Sequence, residues 1–139
     1  MKKRLGLLWT AALMTMALIS APTTAATTGY TFTVVNQHCY GAQGQDVYFR
    51  VRLTAAGSTS ANKLTINSVS QYYSGGKWHK SYVWAQNKTT FTPNGSAHSI
   101  DYSYSHEGTN QYNWRIVSKL RAWNGTQLLA SKTLKSLAC

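Results

Sequence analysis

The 139-residue sequence predicts an all-β fold: a single antiparallel two-sheet sandwich of about seven strands, with a small β-barrel as the alternative. Three observations predict it. From Thr27 onward, Val, Ile, Thr, Tyr, Phe and Trp recur, the residue types that fit a pleated, half-buried surface. Gly, Asn and Ser punctuate them roughly every ten residues. That region carries no long stretch of helical periodicity, internal repeat or linker.

The first expected strand is Tyr30 to Asn36. The second, Gln45 to Thr54, has the cleanest alternation: Val47, Phe49, Val51 and Leu53 face one way, Tyr48, Arg50 and Arg52 the other. Ala55 to Ala61 reads as a loop. The third strand, Asn62 to Tyr73, puts Leu64 and Ile66 on one face. Val69 breaks their parity, so a bulge is expected near Asn67-Ser68. Ser74-Gly75-Gly76 turns the chain into a fourth strand, Lys77 to about Asn87, with Trp78, Lys80, Tyr82 and Trp84 sharing a face.

After the turn signal Thr92 to Gly95, the fifth strand, Ala97 to Ser105, groups Ile100, Tyr102 and Tyr104. The sixth, Gln111 to Trp123, turns Trp114, Ile116 and Leu120 inward and Arg115, Lys119 and Arg121 outward. Asn124-Gly125 is a two-residue hairpin signal. The seventh strand, Thr126 to Lys135, returns with Leu128, Ala130 and Leu134 on one face. Tyr112-Asn113-Trp114-Arg115-Ile116 resembles the sixth strand of immunoglobulin-like and fibronectin-type-III-like domains. The resemblance covers a dozen residues and implies a fold, not a function. The cysteines depart from the immunoglobulin pattern, whose bridge crosses the core between the second and sixth strands.

Ahead of this region lies a leader. Lys2, Lys3 and Arg4 precede an apolar run from Leu7 to Ser20, and Thr24-Ala25-Ala26 is close to an A-x-A cleavage site. Residues 1–26 read as a secretory signal peptide and 27–139 as a single exported domain. The run is shorter than the roughly 20 residues a membrane span needs. An oxidising destination makes Cys39 and Cys139 a disulfide pair.

The formal charge of +11 includes the leader's three cations, so +8 remains, opposed only by Asp46, Asp101 and Glu107. Such a balance favours polyanions. Three acids give paired-carboxylate hydrolysis little to work with. No G-x-S-x-G elbow marks a nucleophile. His98, Asp101, His106 and Glu107 are close in sequence, but they form no metal-binding motif. An extended fifth strand would hold its two histidines about 25 Å apart. No cofactor is expected.

The remaining signal interleaves cations with aromatics. Lys77, Trp78 and Lys80 follow a glycine turn, while Arg115, Lys119, Arg121 and Trp123 share one side of the sixth strand. If the third, fourth, sixth and seventh strands form one sheet, its outer face is positive with an aromatic edge, and Arg50 and Arg52 fall on the opposite sheet. The expectation is a secreted, non-catalytic sandwich. Its partner would be an anionic polymer (wall polymer, polysaccharide or nucleic acid) or another cell-envelope component. Two alternatives remain. One is an interaction module presenting the loops Ala55 to Ala61 and Lys88 to Ser96 to an extracellular protein. The other is a small phosphodiesterase-like hydrolase using His98 and His106.

Overall fold

The computed structural model describes residues 24–139. The expected leader, up to residue 23, lies outside them. Nine strands run through the described residues: β1 (Thr24–Thr27), β2 (Tyr30–Tyr40), β3 (Asp46–Ala55), β4 (Lys63–Ser74), β5 (Lys77–Val83), β6 (Asn87–Thr90), β7 (His98–His106), β8 (Trp114–Asn124) and β9 (Gln127–Lys135). They form two antiparallel sheets, ordered β1-β2-β3-β7 and β5-β4-β8-β9, with β6 beside β4. The sheets face each other as a sandwich and do not close into a barrel.

Three connections cross between the sheets, β3 to β4, β6 to β7 and β7 to β8. The expected third, fourth, sixth and seventh strands do form one sheet. Thus the fourth pairs with the third, whereas an immunoglobulin constant domain would put it beside the fifth. The core sits where the two inner faces meet. Phe32, Phe49, Val51 and Leu53 fill it from one sheet and Leu64, Ile66, Ile116 and Leu120 from the other, all fully buried. Each buried Leu, Ile or Phe side chain contributes about 1.5–3 kcal/mol relative to exposure.

Several elements depart from the sequence reading. The first expected strand continues past Asn36 to Tyr40, because a bulge at Val34–Asn36 lets β2 stay paired with β3. The sixth begins at Trp114 rather than Gln111. Thr24–Thr27, the residues around the expected cleavage point, pair with Tyr30–Thr33 as β1. The hairpin after β8 turns on Gly125 and Thr126, since Asn124 still pairs with Gln127. Gly125, with φ +58°, takes the left-handed position there.

The largest correction concerns β4 and β5. No bulge interrupts β4, which pairs with β8 in unbroken register from Lys63 to Tyr72. Its inner positions after Ile66 are filled by buried Ser68 and Ser70, so Val69 faces outward. The polar pair is satisfied: the Ser68 and Ser118 hydroxyls lie 2.7 Å apart, and Ser70 Oγ accepts from the Tyr82 amide at 3.0 Å. The bulge is instead in β5, which carries one extra residue between Lys80 and Val83 opposite Val69–Gln71. It reverses the facing of the strand. Trp78 and Lys80 stay on the outer face, while Trp84 turns in to pack on Tyr104 at 5.2 Å between ring centres. The expected single face of Trp78, Lys80, Tyr82 and Trp84 is therefore split. The expected fourth strand ends early, at Val83, and the start of the expected loop Lys88 to Ser96 is instead strand: β6 lies end to end with β5 along β4.

The chain ends pinned. Cys39 and Cys139 form a disulfide with Cα atoms 5.6 Å apart. Cys139 also exchanges backbone hydrogen bonds with Trp114, at 2.7 and 2.8 Å. The bridge thus ties the end of β2 to the start of β8, in the opposite sheet. Closing a loop of about 100 residues removes roughly 4.7 kcal/mol of unfolded-state entropy in the chain-entropy model.

Candidate functional site: the outer face of the five-stranded sheet

The charged residues segregate by sheet. Among the described residues, Arg50 and Arg52 are the only cations on the four-stranded sheet, and Asp46 and Asp101 lie there with them. Glu107 directly follows β7, its edge strand. The five-stranded sheet carries Lys63 on β4, Lys77 and Lys80 on β5, and Lys88 on β6. Arg115, Lys119 and Arg121 lie on β8, and Lys132 and Lys135 on β9, with no acid among these strands. The formal +8 therefore resolves into +9 on one sheet and −1 with the other.

Alternation along β8 sets the outward row. Ile116, Ser118, Leu120 and Ala122 are buried, so Arg115, Val117, Lys119, Arg121 and Trp123 face solvent. Cross-strand register adds neighbours: Gln71 opposes both Arg115 and Lys80, Trp123 opposes Lys63, and Val117 opposes Lys135. Of the residues singled out from sequence, Trp78, Lys80, Arg115, Lys119, Arg121 and Trp123 share this face. Lys77 sits beside it, at the β4–β5 turn. Lys63, Lys88 and Lys135 were not anticipated, because only the pairing of strands brings them there.

Both outer tryptophans are half-buried and engaged by cations. The Arg115 guanidinium lies 3.9 Å from the Trp78 ring centre and donates to Gln71 Oε1 at 2.9 Å. This burial lowers the Arg115 pKa from its ordinary value, yet an arginine remains charged. Lys63 and Arg121 lie 5.1 and 5.9 Å from the Trp123 ring, whose Nε1 donates to Thr65 at 3.0 Å. The rings brace cations rather than standing open as stacking platforms. Such contacts contribute about 0.5–1 kcal/mol each at exposed sites. Trp114 is buried in the core. Between the rows, Val69, Val83 and Val117 floor a shallow depression of about 330 Å³ rimmed by Lys80, Lys119 and Thr133.

Other sequence candidates are separated. His98 and His106 are the two ends of β7, opposite Ala55 and Val47. His98 stacks on Phe91 and contacts Asn94, while His106 packs on Trp114. No catalytic step can use both rings at one bond. Asp101 is bound by Arg50 and Arg52, and among the described residues no three metal-ligating side chains converge. The two candidate interaction loops touch each other, since a Cβ at Gly57 would overlap the Gly95 carbonyl. No protein-family model and no curated protein matches the chain.

Proposed function

We propose that the protein is an exported, non-catalytic β-sandwich that binds an anionic polymer through the outer face of its five-stranded sheet. The observation that carries this reading is the segregation of charge: nine cations on that sheet, with no acid among them. An array of fixed cations on a rigid sheet attracts a polyanion at long range and releases its counterions on contact. The cation-braced tryptophans favour recognition of charge over base stacking. The leader and the Cys39–Cys139 bond support export.

The test is retention on a sulfated polysaccharide and on single-stranded nucleic acid across a salt series. The expected result is tight retention at 50 mM salt and release as salt rises, with a slope that several released counterions would give. Absence of retention at low salt, or retention indifferent to salt, would overturn the proposal.

A further inference from the structure

A second surface is chemically unlike the basic face. Along one side of the sandwich, β5 and the residues after it face the end of β7 across the gap between the sheets. The β5 bulge sets this arrangement. Ser70 holds the Tyr82 amide, and the Ser68 carbonyl accepts from the Trp84 amide at 3.1 Å. The two rings are thereby turned toward the gap, edge to face at 5.1 Å between centres. They open onto a cleft of about 570 Å³, completed by Tyr40, Ser81, Ser105, His106 and Glu107. That volume falls within the usual range for small-ligand sites.

Three features of the lining stand together. Tyr82 is 55 % exposed although it is a large aromatic. None of the polar side chains of the cleft hydrogen-bonds to another described residue; His106 Nε2 is itself buried, so Ser81, Ser105 and Glu107 are the groups open to a ligand. Elsewhere on the same β7 strand, hydroxyls are matched: Ser103 with Tyr48 at 3.0 Å and Ser99 with Thr54 at 2.9 Å. Glu107 forms no ion pair among the described residues, in a protein with a large excess of cations.

We infer that this cleft binds a neutral saccharide. A pyranose ring presents an apolar C–H face, which suits the Tyr82 and Trp84 rings, and a rim of hydroxyls. Ser81, Ser105 and the Glu107 carboxylate meet that rim, the carboxylate accepting charge-assisted hydrogen bonds. An anionic sugar is repelled by Glu107, and a purely apolar ligand would leave the cleft's polar groups desolvated without partners.

The site is independent of the basic face, and its test separates the two. The processed protein is titrated by calorimetry with neutral gluco-, manno-, galacto- and chito-oligosaccharides, and with choline as a cationic control. At least one oligosaccharide is expected to bind. The affinity should fall about tenfold or more in Tyr82→Ala and several-fold in Glu107→Gln. It should change less than about twofold between low and high salt, and be unaffected by reversal of Arg115, Lys119 and Arg121. Failure of every oligosaccharide to bind, affinity unchanged in Tyr82→Ala, or preference for choline would overturn the inference.

Discussion

The two outer faces of the sandwich use the same residue types differently. On the four-stranded sheet, Arg50 and Arg52 alternate on β3 as Arg115, Lys119 and Arg121 do on β8. Yet β7 brings Asp101 directly opposite Arg52. Arg50 donates to both Asp101 oxygens at 3.0 Å, and Arg52 joins the same carboxylate. Across from Arg115, β4 offers the neutral Gln71. One face is an internally satisfied ion network; the other holds its charge for something outside the molecule. The cations alone do not decide which occurs. The residue that the neighbouring strand's register places opposite them does.

The largest expected effect comes from severing the link between the two sheets. Replacing Cys39 and Cys139 by Ser frees the tail that spans them and lowers unfolding free energy by about 3–5 kcal/mol. Chemical denaturation of the exported protein measures it. A loss under about 1 kcal/mol would mean that the bridge restricts the unfolded chain far less than the chain-entropy model gives.

The next effect tests the contrast between faces. Reversing Arg115, Lys119 and Arg121 to Glu changes the five-stranded sheet from +9 to +3. Retention on a polyanion at low salt should fall at least about tenfold, with a shallower salt slope. Neutralising Arg50 and Arg52 to Gln should leave retention within about twofold, because Asp101 already offsets them. A logarithmic loss from the Arg50 and Arg52 pair about one third of that from the reversal, in proportion to the charge removed, would mean that only net charge matters and that neither face is a site.

Much of this was legible in the sequence, for identifiable reasons. The alternation of Val47, Phe49, Val51 and Leu53 defines a strand with one buried face and needs no tertiary knowledge. The outward row of Arg115, Lys119 and Arg121 follows from the inward Trp114, Ile116 and Leu120. The β5 bulge was not legible. It depends on buried Ser68 and Ser70, whose hydroxyls find partners only across strands, so a polar residue in the core was read as a change of facing. That misreading also separated Tyr82 and Trp84 from His106 and Glu107, which the bulge brings to one cleft. Lys63, Lys88 and Lys135 were invisible as parts of the face because register is a long-range property.

His106 gives a pH-dependent test of the seam between the sheets. Burial lowers its pKa, outweighing the pull of Asp46 and Glu107 in the other direction. The unfolded chain therefore binds the proton more readily than the folded one. Stability from the neutral ring is complete above about pH 6.5 and is lost as pH falls through the lower folded value. Thermal unfolding should show a decline between pH 6.5 and 5 that is smaller in His106→Gln. An identical decline in both proteins would locate the sensitivity elsewhere.

The smallest effect on stability comes from Asp101, and it bears most directly on the comparison. Hydrogen bonds from Arg50, foremost, and from Arg52 hold its carboxyl below the ordinary carboxylate value against the opposing effect of burial. Its contribution is thus present above about pH 4 and is lost as pH falls through the depressed folded value. The pairs are solvent-exposed, so Asp101→Asn should cost no more than about 1 kcal/mol at neutral pH. Its consequence for binding is larger in kind. The amide leaves Arg50 and Arg52 without a counter-charge, making the four-stranded face resemble the five-stranded one. Nucleic-acid retention should then strengthen, with a salt slope steeper by up to about 2. An unchanged slope would show that two free cations on a sheet do not make a polyanion site, and that the denser array on β8 and its neighbours is required.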